Sequence, residues 1–293
     1  MNRKQFLLTN NRGNFPNLEE TQNIGDYFLY LGKDSEYCYI KNENGEFHLL
    51  GSIYDWEITQ HSNKQILENI SRNKGFEKLL KLVDKYCGEF VLIIKVSDGI
   101  FILNDASGQK EVYYDNEFTS FATQPKLLGL ATKLYEHSSE EAKEYYTSHS
   151  FREKCFFVGN TTHFENVLHL LPNHYLSIKE KKVQRFFPGE TLENNSLEYV
   201  AQKSSEMLKG YMSAISQRNK ITMAVTGGYD SRLLFLASLS LECEYFVSKY
   251  PYMDDSHHDI LIPKRLTRYF DKNLTIEVDE NLMLKPFINT DYT

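Results

Sequence analysis

Residues 226–231 place hydroxyls, glycines and a carboxylate at a point where a strand is expected to lead into a helix. The run reads Thr-Gly-Gly-Tyr-Asp-Ser, with apolar stretches at 221–225 before it and at 233–237 after it. A glycine-rich turn that enters a helix presents free backbone N–H groups and the positive end of the helix dipole. The sequence therefore predicts an anion site here, with a nucleotide phosphate as its ligand.

Each residue type in this run has a role in such a site. Gly227 and Gly228 carry no side chain, so a phosphate can approach the backbone closely. Thr226 and Ser231 supply hydroxyl donors, and Asp230 either caps the helix or faces a bound metal ion. The alternative is an ordinary tight turn with Asp230 as its N-cap. A Walker-type loop is excluded because no Gly-Lys-Ser/Thr follows.

Length and composition limit the classes of protein that the chain can belong to. The chain has 293 residues, enough for two domains, and its net charge of -7 argues against general affinity for nucleic acid or anionic membranes. No run of 18 apolar residues predicts a membrane span, and no signal peptide is expected. The cysteines show no metal-ligand spacing and are typical of reduced thiols in a cytoplasmic protein; they are Cys38, Cys87, Cys155 and Cys243.

The first half of the chain is expected to fold as α+β with antiparallel pairing. Turn residues between apolar runs predict four hairpins, with strand pairs at 37–40 and 47–50, 89–96 and 100–103, 112–114 and 118–122, and 174–178 and 183–187. Apolar spacing predicts helices at 63–73, 75–86, 123–135 and 140–148.

The second half alternates strand and helix after a linker at 188–195. Ser196 is expected to cap a long amphipathic helix over 197–217. Strands follow at 221–225, 244–248 and 274–278, with helices at 231–240 and 257–270. This alternation predicts a parallel, doubly wound sheet, in which ligands bind beyond the carboxyl ends of the strands, where residues 226–231 fall.

The loop resembles the Ser-Gly-Gly-x-Asp-Ser PP-loop of ATP pyrophosphatases, with threonine in place of the leading serine. Upstream segments resemble the glutaminase-type domain of asparagine synthetases; they are residues 88–94, 103–108, 112–114 and 170–176. The resemblance implies an Ntn-hydrolase-like domain of layered antiparallel sheets, of the glutamine amidotransferase type, at 1–190. It implies the N-terminal part of a PP-loop synthetase domain at 191–293.

This resemblance implies an ATP-dependent, amide-forming ligase. ATP and Mg²⁺ would bind at the loop, a carboxylate would be adenylated with release of pyrophosphate, and an amine would then displace AMP. The implied cofactor-binding residues are Thr226, Gly227, Gly228, Asp230 and Ser231, with Ala224 and Ser248 beside the adenine and Asp230 as the metal ligand. Asp259 loosely matches an acidic position of the family, and Val247 is either near the base or a core residue.

Two features depart from the family. Glutamine-using members carry a cysteine directly after the initiator methionine, whereas this chain has Asn2, so no glutaminase activity is expected. About 75 residues follow the start of the loop strand, too few for a doubly wound domain, which normally has five or so strands. The sequence is therefore expected to be a fragment, a truncated gene product or half of a split enzyme whose partner chain supplies the rest.

Further interpretations concern the chain as a whole and single residues. The chain could instead be a non-catalytic nucleotide-binding or interaction protein. Residues 254–259, Asp-Asp-Ser-His-His-Asp, contain metal-ligating types, but the favoured interpretation is a helix start with Ser256 as cap and Asp259 in the first turn. Trp56 is expected to pack at a strand end, and Arg232 either reaches a phosphate or is a solvated helix residue.

Overall fold

The computed structural model describes residues 4–149, 151 and 157–278. The chain divides into two compact units, one of residues 1–54 and 61–194 and one of residues 55–60 and 195–293. Asn2, Cys155 and residues 279–293 lie outside the described residues. None of the described helices is long and apolar enough to span a bilayer.

Two antiparallel sheets form the first unit, each of six strands in the described part of the chain. One sheet has the order β10-β8-β9-β1-β3-β2 and the other the order β12-β11-β7-β6-β5-β4. The strands are β1 Phe6–Thr9, β2 Leu18–Ile24, β3 Tyr27–Gly32, β4 Tyr37–Asn42, β5 Gly45–Asp55, β6 Tyr86–Val96, β7 Gly99–Asn104, β8 Tyr113–Asp115, β9 Ser120–Ala122, β10 Val167–His169, β11 His174–Ser177 and β12 Lys182–Arg185. The four predicted hairpins and the antiparallel character of this unit are confirmed.

The described helices of this unit are α1 Asn63–Ser71, α2 Phe76–Val83, α3 Pro125–Ala131 and α4 Glu140–Thr147. The first three cover the outer faces of the two sheets, whereas α4 has no buried residue. Apolar residues of α1 and α2 pack on one sheet, and Leu127 and Leu128 of α3 pack on the other. A third cluster, which includes Val91 and Ile93, lies between the sheets. The layers therefore run helix, sheet, sheet, helix, and they explain why the run at 90–94 is apolar without alternation.

Three parallel strands and three helices form the described part of the second unit. The helices are α5 Leu197–Ser216, α6 Tyr229–Ser238 and α7 His258–Tyr269. The strands are β13 Ile221–Ala224, β14 Cys243–Lys249 and β15 Leu274–Val278, paired in chain order. Ser196 caps α5 through its hydroxyl, as predicted, at 3.2 Å from the Tyr199 amide.

In the described part of the second unit, helices cover one face of the parallel sheet and the other face is exposed. Met223 and Tyr245 lie in a core with Met212 of α5 and Phe235 of α6, and Val247 packs with Ile260 of α7. Residues that alternate with these point to the other face, and they are exposed at Thr222, Ala224, Glu244, Thr275 and Glu277. A doubly wound sheet has reversed strand order and helices on both faces, whereas the strands described here run in order with one face exposed.

Candidate functional site

The predicted loop lies at the carboxyl end of β13. Val225 continues the pairing by donating its amide to the Phe246 carbonyl at 2.8 Å, and it is fully buried. Gly228 is the N-cap residue of α6, which starts two residues earlier than the spacing predicts. The sequence therefore located the strand, the turn and the helix, and the turn faces the edge where parallel sheets bind ligands.

The side-chain hydroxyls of Thr226 and Ser231 stabilise the loop by hydrogen bonds within it. The Ser231 Oγ accepts the Thr226 amide at 3.0 Å, and the Oγ atoms of Thr226 and Ser231 are 3.0 Å apart. The Thr226 Oγ1 also accepts the Gly228 amide at 3.2 Å. The Ser231 Oγ also donates towards the Thr226 and Gly228 carbonyl oxygens, each at 3.3 Å. Both hydroxyls thus fix the turn, and a ligand would bind them by replacing one of these hydrogen bonds.

Asp259 binds the loop from the start of α7. Its Oδ1 accepts the Gly227 amide at 2.8 Å, across 32 positions of sequence. A Cβ at Gly227 would lie 3.0 Å from that oxygen and 3.1 Å from the His258 carbonyl oxygen, so the contact favours glycine. The Gly227 amide is therefore occupied by an anionic oxygen of the chain itself.

The start of α6 is open to solvent. Gly228, Tyr229 and Asp230 are exposed, and among the described residues no side chain caps this helix. The first-turn N–H groups of a helix have no intrahelical acceptor. Tyr229 and Asp230 consequently offer backbone donors and, at Asp230, an exposed carboxylate beside the hydroxyl pair.

The residues predicted to flank a nucleotide base lie on the open face of the sheet. Ala224 pairs with Phe246, and Ser248 follows Phe246 by two residues on the same face. Val247 points the opposite way, is 2% exposed and belongs to the core. Of its two interpretations, the core role is the one the packing supports.

Arg232 turns back onto its own loop. Its Nε donates to the Gly228 carbonyl at 3.1 Å, and its guanidinium lies 4.4 Å from the Tyr229 ring centroid. Trp56 packs at the end of β5, beneath the Lys203 ammonium at 4.3 Å from the ring centroid. A Cβ at Gly210 would lie 2.2 Å from the Trp56 carbonyl oxygen, so that segment fits closely against α5.

The His-His-Asp segment starts α7 differently from the prediction. His257, not Ser256, is the N-cap residue, and its Nδ1 accepts the Asp259 amide at 3.3 Å. Ser256 instead donates its amide and hydroxyl to Asp254, at 2.8 and 2.6 Å. Because Ser256 bonds to Asp254, it does not cap the helix. Residue types alone do not show whether such a serine bonds to a nearby side chain or to the helix start.

The upstream motifs that carry the family resemblance have clear roles in the fold. Asp105 is 1% exposed, and its carboxylate accepts backbone N–H groups from β6 and from the turn that follows it. The donors include Phe90 at 3.4 Å and Lys110 at 2.8 Å. Asn173 sits at φ 64° in the turn before β11, and His174 contacts the Pro172 carbonyl at 2.9 Å. These contacts show that the motif residues stabilise the turns in which they lie.

Comparisons with known proteins give distant likenesses only. No protein-family model matches the chain, and no curated protein matches it. An allosteric regulatory enzyme of purine biosynthesis is similar at a TM-score of 0.36 and 9% identity, over 87% of this chain and 67% of that chain. The glutamine phosphoribosylpyrophosphate amidotransferase from B. subtilis, complexed with ADP and GMP, is similar at 0.38 and 12% identity, over 90% and 64%. Likenesses of this size leave the family of the chain open.

Proposed function

We propose that residues 226–231 bind the phosphates of ATP and that the chain is part of an ATP-dependent, amide-forming ligase of the asparagine synthetase type. The observation that carries the proposal is the exposed start of α6, where no side chain of the described residues caps the first-turn amides, next to the Thr226 and Ser231 hydroxyl pair. The Gly227 amide donates to Asp259 Oδ1 at 2.8 Å, so a phosphate would bind through the other donors of the loop.

The roles of the loop residues follow from their positions. The Thr226 and Ser231 hydroxyls and the first-turn amides of α6 would contact phosphate oxygens. Asp230 is exposed and would hold Mg²⁺, which retains several waters and needs few protein ligands. Ala224 and Ser248 would lie beside the adenine, on the open face of the sheet.

The proposed reaction has two steps. A substrate carboxylate attacks the α-phosphorus of ATP, and pyrophosphate leaves with its charge stabilised by the loop and by Mg²⁺ when bound. An amine then attacks the acyl-adenylate and displaces AMP, which leaves an amide. Asn2 stands where a glutaminase cysteine would be, so the amine would be part of the substrate and not ammonia from glutamine. The region 1–190 would be an amidotransferase-like domain without its nucleophile.

A second candidate function is a nucleotide-binding protein without turnover, or one half of a split synthetase. The open sheet face favours it, because parallel sheets are normally covered on both sides. Thr222, Ala224 and Glu244 are exposed on that face of β13 and β14. The doubly wound synthetase domain, starting at residue 191, would then be completed by further sequence or by a partner chain.

Pyrophosphate release and ATP binding distinguish these functions. We expect the chain to bind Mg²⁺-ATP, and Asp230→Ala to raise the dissociation constant about tenfold, a loss of roughly 1.4 kcal/mol. Asp98→Ala, which removes an exposed carboxylate from the β6–β7 turn of the first unit, is the matched control and should change nothing. Carboxylate-dependent pyrophosphate release supports the ligase, and binding without release supports the second candidate. Absence of ATP binding by the unmodified chain would overturn both.

A further inference from the structure

Three metal-ligating side chains meet at the start of α7, beside the loop. One potential ligand atom from each of His257, His258 and Asp259 lies within 4.8 Å of the others. The Asp259 Oδ2 is 4.0 Å from the His257 Nδ1 and 3.8 Å from the His258 Nε2. The two imidazoles stack with centroids 4.4 Å apart and planes 22° from parallel, so one ring has to rotate for both nitrogens to face a common ion.

The spacing of these atoms is close to what a tetrahedral ion requires. Zinc binds histidine nitrogen and carboxylate oxygen at about 2.0–2.2 Å, which places neighbouring ligand atoms roughly 3.3 Å apart. The observed separations, 3.8 and 4.0 Å to the carboxylate oxygen and within 4.8 Å among all three atoms, would have to shorten by roughly 0.5 to 1.5 Å through side-chain rotation. The partly exposed position leaves room for water as the fourth ligand, since the His258 side chain is 71% exposed and that of Asp259 is 29% exposed.

The carboxylate in this cluster is already oriented by its second oxygen. The Asp259 Oδ1 accepts the Gly227 amide, while Oδ2 is the oxygen that faces both histidines. Metal-ligating carboxylates are commonly held in this way by a hydrogen bond from outside the coordination shell. The contact with the loop thus supplies the orientation that an isolated acidic side chain at a helix start lacks.

The geometry points to a transition-metal site formed by His257, His258 and Asp259, with zinc or cobalt(II) as the class of ion. Imidazole ligands suit these ions, whereas Mg²⁺ prefers an all-oxygen shell. Binding exchanges the long hydrogen bond from the Asp259 amide to the His257 Nδ1 for a metal–nitrogen bond. The site uses other side chains than the Asp230 carboxylate proposed for Mg²⁺, and it is tested in the absence of nucleotide.

This site would also be coupled to the loop through one carboxylate. An ion on Oδ2 withdraws charge from Oδ1 and so weakens its hold on the Gly227 amide. The ion would also place positive charge beside the loop. Both effects would make the loop a better binder of a second anion.

Cobalt(II) absorption in the visible range tests the site on the tag-free full chain, without nucleotide or magnesium. We expect one equivalent of cobalt(II) to bind and zinc to displace it. His258→Ala and Asp259→Asn should each weaken binding at least tenfold. His149→Ala, an exposed histidine outside the cluster, is the control and should leave binding unchanged.

The His258 variant keeps the experiment interpretable if the fold is sensitive. His258 takes no part in the N-cap hydrogen bond, which His257 makes, and its side chain is mostly exposed. Its circular dichroism should therefore match that of the unmodified chain. Failure of the chain to bind cobalt saturably, or equal binding by both cluster variants and the control, would overturn the site. Neither result bears on ATP binding, which is measured without these ions.

Discussion

The contact between Asp259 and Gly227 is the residue-scale feature that the sequence did not reveal. The residue types of the loop predicted an anion site formed by its own hydroxyls, glycines and carboxylate. The side chain that accepts the Gly227 amide, however, lies 32 positions away in sequence. Contacts of this kind depend on how β13 and β14 pair, because the pairing brings the start of α7 to the end of β13. Local spacing carries no information on that pairing beyond the expectation of a parallel sheet.

The Thr226 and Ser231 hydroxyls also show what residue types alone do not determine. Thr226 and Ser231 were predicted as ligand donors, and they lie together as expected, at 3.0 Å between their oxygens. Their present hydrogen bonds, however, close the turn itself. Residue identity can therefore place a donor at a site, but only the local backbone decides whether its first partner is protein or ligand.

A buried histidine in the first unit makes the stability of the chain depend on pH. His48 of β5 is fully buried, stacks on Tyr39 with ring centroids 4.8 Å apart, and contacts the Tyr37 hydroxyl through Nδ1 at 2.9 Å. Burial lowers the pKa of His48 from 6.5 to about 4. The unfolded chain therefore binds the proton first, and the folded state loses stability as pH falls from about 6.5 towards 4.

We predict that His48→Gln removes this part of the pH dependence. The difference between the two pKa values corresponds to a loss of folding stability of roughly 3 kcal/mol. The full loss is reached only below the pKa of the folded state. The measurement is the free energy of unfolding in urea at pH 7 and at pH 4.5 for both proteins. The unmodified chain should lose more stability over this interval than the variant. Equal losses would show that His48 is not the group responsible.

At the scale of elements, periodicity and turn residues predicted most of the architecture. The helix over 197–217 is found at Leu197–Ser216, and the hairpin predicted around Asn44-Gly45 has Asn42 paired with Gly45. Strands β1, β2, β3 and β10 were not predicted. The helix predicted at 123–135 is shorter and spans Pro125–Ala131. Thr132 leaves the helical conformation there at φ -137°, and nothing in the apolar spacing signals that end.

Two glycines show where an element depends on close backbone approach. Gly88 in β6 has φ +140°, and a Cβ there would lie 2.1 Å from the Ser52 carbonyl oxygen of β5. Gly51 faces the same junction, since its Cβ would lie 2.1 Å from the Glu89 carbonyl oxygen. The junction therefore requires glycine for space as well as for conformation.

We predict that Gly88→Ala destabilises the first unit more than Gly75→Ala does. Gly75 is the matched control, because it also has a positive φ, +86°, but a Cβ there meets no heavy atom within 4 Å. The control should cost about 1–3 kcal/mol of backbone strain. Gly88→Ala should cost about 2 kcal/mol more, since strand backbone must shift. Urea unfolding followed by circular dichroism measures both, and equal midpoints would contradict the packing argument.

At the scale of the whole molecule, the two units have separate hydrophobic cores. The clusters around β1–β12 contain residues of the first unit, and those around β13–β15 contain residues of the second. Separate cores allow separate cooperative unfolding. The second unit has one sheet face exposed in its described part, so it buries less apolar surface for its strands and is expected to unfold first.

We predict two unfolding transitions that respond to different changes. Trp56 is the only tryptophan and belongs to the second unit, so its fluorescence reports that unit, while circular dichroism reports both. Mg²⁺-ATP at 100 times its dissociation constant should stabilise the second unit by about 2.7 kcal/mol and move only the earlier transition, in fluorescence and circular dichroism alike. Gly88→Ala should shift only the later transition seen by circular dichroism. Coincident transitions, moved equally by ligand and by substitution, would show instead that the two units unfold as one.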